Sequence, residues 1–409
     1  MSTPSVPPDS RRAWLNRNVV AVGLVSLLTD AASEMVLPLL PAFLTVTLGG
    51  GAMALGWIEG LADAVASALK LVSGRWADRL GRNQPLMLLG YGISTIARPF
   101  VAIATAPWHV LAVRVSDRVG KGIRSSPRDS LLAHAVPAEQ RGAAFGFHRA
   151  MDHAGAVIGP TIAFLVLRYV SSDLRHLFLL SAIPGVFAVL AVVLGVRESP
   201  PVARADASRD AEPIGAASDV ASAATSLAGL LTLLAPLAIF TLGKASETFL
   251  LLKAGAQSAS LTTLPLLWIG LHVVKSACSF RGGVLSDRRG RARVIGAGWA
   301  LHVGIYAALA FASSRTAVCA LFLAYGIPAG LTEGAEKALV SALAPKRGQG
   351  TGFGWYHLTL GMSALLASVV FGTLWDAFGP RVAFLTGASL SAIGLALFAR
   401  LRPDRHARA

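Results

Sequence analysis

Four carboxylates near the start of the chain fall at helical spacing. Asp30 and Glu34 are four residues apart, and so are Glu59 and Asp63. Each pair therefore shares one face of its helix. Counted from the same end of two antiparallel helices, Asp30 and Asp63 lie 11 residues in, and Glu34 and Glu59 lie 15 residues in. Carboxylates crowded at matched depths raise one another's pKa, which is the chemistry of a proton carrier or a cation site. The plainer reading has each acid held by an arginine or by Lys70. A second group is His148, Asp152 and His153, the first two at i, i+4. Imidazole with carboxylate suits borderline divalent ions such as Ni²⁺, Co²⁺ or Zn²⁺, and histidine also titrates near neutral pH. Anchoring to neighbouring helices is the alternative for this group.

The third group is "RVSDRVGKGIRSSPRDS", Arg114 to Ser130. Arg114, Asp117, Arg118, Lys121, Arg124 and Arg128 follow one another at intervals of 3, 1, 3, 3 and 4, which keeps them near one helical stripe. A charge near a bilayer centre costs at least about 2.5–3.5 kcal/mol unless it is paired or hydrated. The stripe must face the protein interior or a watery vestibule. Its inner part, Lys121 to Asp129, reads as a charge network at the mouth of that vestibule. The "GKG" inside it is no phosphate loop, because Ser or Thr does not follow the lysine and no strand precedes it. No cofactor is implied.

The elements that must position these groups are membrane helices. The 409 residues are 54% hydrophobic and only 14% charged. A spanning helix needs about 20 apolar residues. Twelve such segments are predicted: 19–43, 53–74, 85–106, 108–131, 142–167, 176–196, 227–251, 263–285, 293–313, 315–340, 350–373 and 380–400. Strands of a barrel would alternate over shorter runs, so the expected fold is an all-α bundle. The polar "MSTPSVPPDSRRAWLNRN" before an over-long first apolar run is not the pattern of a signal peptide. Cys278 and Cys319 both fall inside predicted helices and make no disulfide framework.

The net charge of +15 follows topology rather than a nucleic-acid partner. Arg75, Arg79, Arg82, Arg288, Arg289, Arg291 and Arg293, with basic residues in both tails, fall on one side. The other side keeps Arg168, Arg175, Lys253, Arg315 and Arg381. The positive-inside rule then puts both termini in the cytoplasm. Trp14, Trp57, Trp108 and Trp375 near helix ends suit an aromatic belt.

A polar stretch rich in Ala, Ser, Pro and Asp, 197–226, divides residues 1–196 from 227–409. It reads as a flexible cytoplasmic linker between two six-helix bundles. The bundles repeat each other. "GRWADRLGR" (Gly74 to Arg82) matches "GVLSDRRGR" (Gly283 to Arg291) at an offset of 209, and "PAEQRGAAFGF" at Pro137 matches "PKRGQGTGFGW" at Pro345 at 208. Paired halves about an axis normal to the membrane are a transporter architecture. At the shared offset, Glu333, Glu336 and Lys337 stand where the first half has Ser125, Arg128 and Asp129. Acid replaces base between 128 and 336, so an Arg128–Glu336 gate between the halves is expected.

The paired loops resemble the signature of the major facilitator superfamily. In that motif Gly74 and Gly283 allow close approach, Gly81 and Gly290 suit a tight turn, and Asp78 and Asp287 bind nearby arginines or helix ends as a latch. "GAVIGP", with Gly155, Gly159 and Pro160, resembles the antiporter motif of drug:proton exchangers, although the trailing glycines are replaced by "TIAF". An ordinary packing face is the other reading of it. Arg114 resembles the helix 4 arginine associated with proton transfer, with Asp117-Arg118 in place of Gln-Gly. "DRVGKGIRSSPRDS" resembles a bacterial branch that includes nickel-resistance permeases. The resemblance implies a multi-pass protein of a bacterial cytoplasmic membrane, a monomer, exchanging protons for a small-molecule or metal-ion cation and exporting it. A proton symporter importing a sugar or organic acid is the competing transporter. A lipid-acting membrane enzyme lacks a nucleophile–base set, and a non-transporting receptor is the remaining class.

Overall fold

The computed structural model describes residues 14–401 apart from 41–42, 50–51, 172, 199–215, 245–246, 257–262 and 346–347. Among the described residues every regular element is helical. In the first half these are α1 (Arg17–Glu34), α2 (Ala52–Leu80), α3 (Gln84–Ala97), α4 (Pro107–His134), α5 (Arg141–Tyr169) and α6 (Leu174–Gly195). In the second half α7 comes in two pieces, Ala216–Gly243 and Glu247–Ala256. It is followed by α8 (Thr263–Arg289), α9 (Arg291–Phe311), α10 (Arg315–Leu343), α11 (Gln349–Trp375) and α12 (Ala377–Leu401). The all-α, twelve-helix expectation holds. Much of the stretch expected as linker lies outside the described residues, and α7 already begins within it, at Ala216.

Local chemistry sets many of the boundaries. The Asn16 side chain accepts from Val19 N–H and the Ser314 side chain from Ala317 N–H, satisfying donors that a helix start leaves orphaned. Pro107 opens α4, where its missing N–H costs nothing. Gly81 (φ 61°) and Gly290 (φ 96°) take the left-handed turns that follow α2 and α8. Gly379 (φ 83°) kinks the run between α11 and α12.

Among the described residues, eight helices are long and apolar enough to cross a membrane by length and composition, and the chain is a multi-pass membrane protein. Among the described residues, α4 carries too many charges to meet that measure. Exposed Ile96, Ile103, Phe164, Leu194 and Phe311 instead form part of an outward apolar surface suited to lipid. Both loop signatures, the start of α1 and the 135–141 turn lie at one end of the bundle, here called the basic face. Asn16 donates to the Ala135 carbonyl there, and Arg291 to that of Ala138.

Candidate functional site

At the basic face the two halves are fastened by a repeated contact. The Asp78 carboxylate, at the end of α2, accepts the Gly350 and Thr351 N–H groups at 2.9 and 2.7 Å. Asp287, at the end of α8, accepts those of Gly142 and Ala143, also at 2.9 and 2.7 Å. Each acid thus caps the first turn of a helix in the opposite half, where unpaired N–H groups and the helix dipole favour negative charge. Of the two partners expected for these acids, helix ends are the ones engaged. Arg79, Arg82 and Arg288 are exposed, and Arg291 reaches the Ala138 carbonyl. Asp287 lies beyond the apolar span, and burial pushes its pKa up to about 6 against the opposing pull of the two N–H bonds. A Cβ on Gly74 would overlap the Gly350 carbonyl, and one on Gly283 the Gly142 carbonyl. Trp14 adds to this seam, its ring centroid 5.8 Å from Phe147 and 5.2 Å from Phe280. It belongs to the interface between halves, not to an aromatic belt.

Behind the seam lies a second layer. Asp129, in α4, is fully buried. Its Oδ1 accepts from Arg128 at 3.1 Å, and its Oδ2 from Lys337 Nζ of α10 at 2.7 Å and from His357 Nε2 of α11 at 2.8 Å. Asp129 and Lys337 are 208 positions apart, the offset of the internal repeat. Equivalent residues that touch must lie on the pseudo-two-fold axis. The ion pair between the halves therefore differs from the expected Arg128–Glu336 gate by one position in each helix. Glu336 instead accepts from Trp299 Nε1 and Tyr356 O–H, each at 3.0 Å. A one-residue step turns a helical side chain by about 100°, and spacing in a repeat does not settle that rotation.

Above this layer a cavity of about 810 Å³ lies between the halves. Asp30, Asp63, Lys70, Lys121, Arg149 and Asp152 line it from the first half, and Lys244, Glu247, Glu333 and Lys337 from the second. The α4 stripe does face inward: Arg114, Asp117 and Arg124 are buried. Arg98, just after α3, pairs with Asp117 at 2.9 Å and donates to the Thr29 carbonyl at 3.0 Å, while Arg114 reaches Asp117 at 3.7 Å. Arg98 went unnoticed in the sequence. A lone arginine within an apolar span is the signal that marks it.

The matched acids of α1 and α2 separate on folding. Asp63 pairs with Arg118 at 3.1 Å. The side chain of Glu59 lies outside the described residues. Asp30 and Glu34 are half-buried and make no ion pair among the described residues. Gly155 and Gly159 of α5 press against them: a Cβ on Gly155 would fall 3.0 Å from the Asp30 Cβ, and one on Gly159 2.9 Å from that of Glu34. Pro160 follows inside α5. Close packing of α5 on α1 is thus the visible contribution of "GAVIGP".

The histidine group disperses. His148 is fully buried against Ser26 at 2.7 Å and stands 3.8 Å from Asp152. Asp152 binds Arg149 at 2.7 Å, and Arg149 also binds Glu333 of α10 at 2.8 Å. His153 turns toward Glu333 and His272, each at 3.3 Å. Among the described residues no three of His, Cys, Asp and Glu are grouped to hold a metal ion. The His148, Asp152 and His153 set expected from spacing is corrected accordingly, because residue 153 leaves the face shared by 148 and 152.

Two pseudo-symmetric helical bundles, fastened on one face and enclosing a charged cavity, have the architecture of a membrane transporter. The profile of the Major Facilitator Superfamily matches residues 22–274 and 248–409. The chain belongs to that superfamily, and its members are not enzymes. It is 30% identical over 385 residues to an uncharacterised MFS-type transporter, MJ1317, of Methanocaldococcus jannaschii, covering 93% of each chain. It is 30% identical over 144 residues to the multidrug resistance protein MdtH of Photorhabdus laumondii, covering 35% of this chain and 36% of that one. The fold is similar to that of the human organic anion transporter MFSD10, with a TM-score of 0.75 at 16% identity, over 96% of this chain and 100% of that one.

Proposed function

We propose that this protein is a proton-coupled secondary transporter of a small solute, with Asp30 as the proton carrier and the basic face in the cytoplasm of a prokaryotic cell. The observation that carries the reading is the location of the cavity behind two successive closures, the Asp78/Asp287 caps and the Asp129–Lys337 pair. These closures are the latch that must part for the inner side to open. Asp30 lines the cavity without an ion-pair partner among the described residues, so it is free to exchange a proton.

Coupling mode follows the charge of the solute. A cation competes with the proton for Asp30 and is driven out by antiport, whereas an anion gains from the neutralised acid and moves with the proton. Export of a cation by antiport is supported by the likeness to MdtH over a third of the chain. For the metal version of that reading, the described residues offer no group of three His, Cys, Asp or Glu.

The test uses energised everted membrane vesicles with a fluorescent reporter of the pH gradient. Ni²⁺, ethidium and 2-naphthalenesulfonate are added in turn, beside vesicles lacking the protein. A protein-dependent change in the gradient with one of them is expected, and Asp30→Asn should abolish it while leaving solute counterflow. Gradient responses that survive Asp30→Asn unchanged would remove Asp30 from the mechanism.

A further inference from the structure

The carboxylates of the cavity are largely spent on cations that belong to the protein. Asp63 holds Arg118, Asp152 and Glu333 share Arg149, and Glu247 holds Lys275. Glu336 has both oxygens filled by Trp299 and Tyr356. Among the described residues, Asp30 is the one acid of the lining left without such a partner. The lining cations are not matched in this way. Lys70, Lys121 and Lys244 all line the cavity, and none makes an ion pair among the described residues. Arg124 is met only by the neutral Ser94 hydroxyl at 2.6 Å and the Tyr91 ring at 4.5 Å.

Lys70 and Lys121 stand on adjoining turns of two tightly packed helices. Ser126 of α4 donates to the Lys70 carbonyl at 2.7 Å, and Ser73 of α2 to that of Gly122 at 2.8 Å. Gly122 sits so close to α2 that an added Cβ would lie 2.6 Å from the Leu69 Cβ. Two lysine side chains without an ion-pair partner among the described residues, held this near each other and with Asp30 and Asp63 as the acids facing them, form a site for negative charge. A separate observation points the same way. Thr29, Tyr91 and Tyr325 are among the lining residues, and their buried hydroxyls have no hydrogen-bond partner among the described residues. Buried hydroxyls left without partners are costly, and each can donate to an oxyanion. The wall also has an apolar part, with Leu237, Phe240, Trp268 and Leu360.

We propose that the cavity binds an organic anion, with its oxyanion at Lys70 and Lys121 of the first half and Lys244 of the second, and its apolar body against Phe240 and Trp268. The assignment rests on the cavity being the solute site of the transporter proposed above. It also sets the coupling mode. With Asp30 protonated, the one unmatched negative charge among the described lining residues is gone, so anion and proton favour each other and travel together.

Binding to the full chain in nanodiscs of zwitterionic lipid, followed by calorimetry, tests the charge preference. The probes are 2-naphthalenesulfonate, 2-naphthalenesulfonamide and 2-naphthyltrimethylammonium, which share a body and differ in charge, with the benzene series as a smaller set. The sulfonate should bind at least tenfold more tightly than the sulfonamide. Lys70→Gln and Lys121→Gln should each weaken it about tenfold, and Lys70→Arg should retain it in protein that elutes as the parent does. Equal affinity across charges, a preference for the ammonium, no sulfonate binding in either series, or full affinity in the Lys70→Gln/Lys121→Gln double variant would overturn the proposal. Proteoliposomes with an internal pH dye then separate the two readings. Sulfonate binding without sulfonate-driven proton movement would leave the anion site standing and defeat proton coupling.

Discussion

Asp129 takes hydrogen bonds from three side chains on three helices while fully removed from solvent. Breaking one partner out of a buried ion pair typically costs about 3–5 kcal/mol, because the remaining charge is left uncompensated. Asp129→Asn should therefore lower the thermal midpoint of purified protein in detergent clearly. The exchange Asp129→Lys with Lys337→Asp restores opposite charges at two positions related by the repeat. It should recover more stability and transport than either single change. Equal loss in the double variant and the singles would show that His357 and Arg128, not the Lys337 pair, set the energy of this layer.

The elements meet through glycine where a side chain would not fit. Gly74 lies against Gly350, and Gly283 against Gly142, so the inward ends of α2 and α8 reach within backbone contact of α11 and α5. Overpacking costs about 1–3 kcal/mol, and here it falls only on the sealed arrangement. Gly74→Val and Gly283→Val should shift the protein toward the state open at the basic face and slow transport. Spin labels replacing the exposed Arg79 and Arg288, one in each half, in a background lacking Cys278 and Cys319, should report a longer distance in both variants. An unchanged distance with normal transport would mean that the helices slide apart without parting these backbones.

For the whole molecule, sealing of the basic face should depend on pH. Asp287 in the sealed form has its pKa pushed up to about 6 by burial. Released into water, an aspartate titrates near about 3.9. The sealed form therefore binds the proton more tightly between these values, and acidification through pH 6 favours sealing. The same labelled pair should show a shorter mean distance at pH 5 than at pH 7.5, and Asp287→Asn should flatten that response. A longer distance at low pH would reverse the sign and point to rupture of the N–H bonds as the dominant effect.

The membrane class, the two-fold repeat and the family were legible along the chain, because each depends on local or periodic features. Apolar runs need about 20 residues to span a bilayer, and the "GRWADRLGR" and "GVLSDRRGR" loops carry their own turn glycines. The inward stripe of α4 was legible too, since lipid tolerates no unpaired charge. Partner choice was not. Asp63 found Arg118 while Asp30 found no ion-pair partner among the described residues, although their depths match. His153 turned away from His148 and Asp152, and the axial pair fell at 129 and 337 in place of 128 and 336. Helical spacing specifies a face to within about 100° per residue, whereas ion pairs are decided over a few ångströms by how neighbouring helices rotate and cross. The sign of the cavity is a tertiary property for the same reason: its carboxylates are neutralised by cations drawn from both halves, and three lysines are left over.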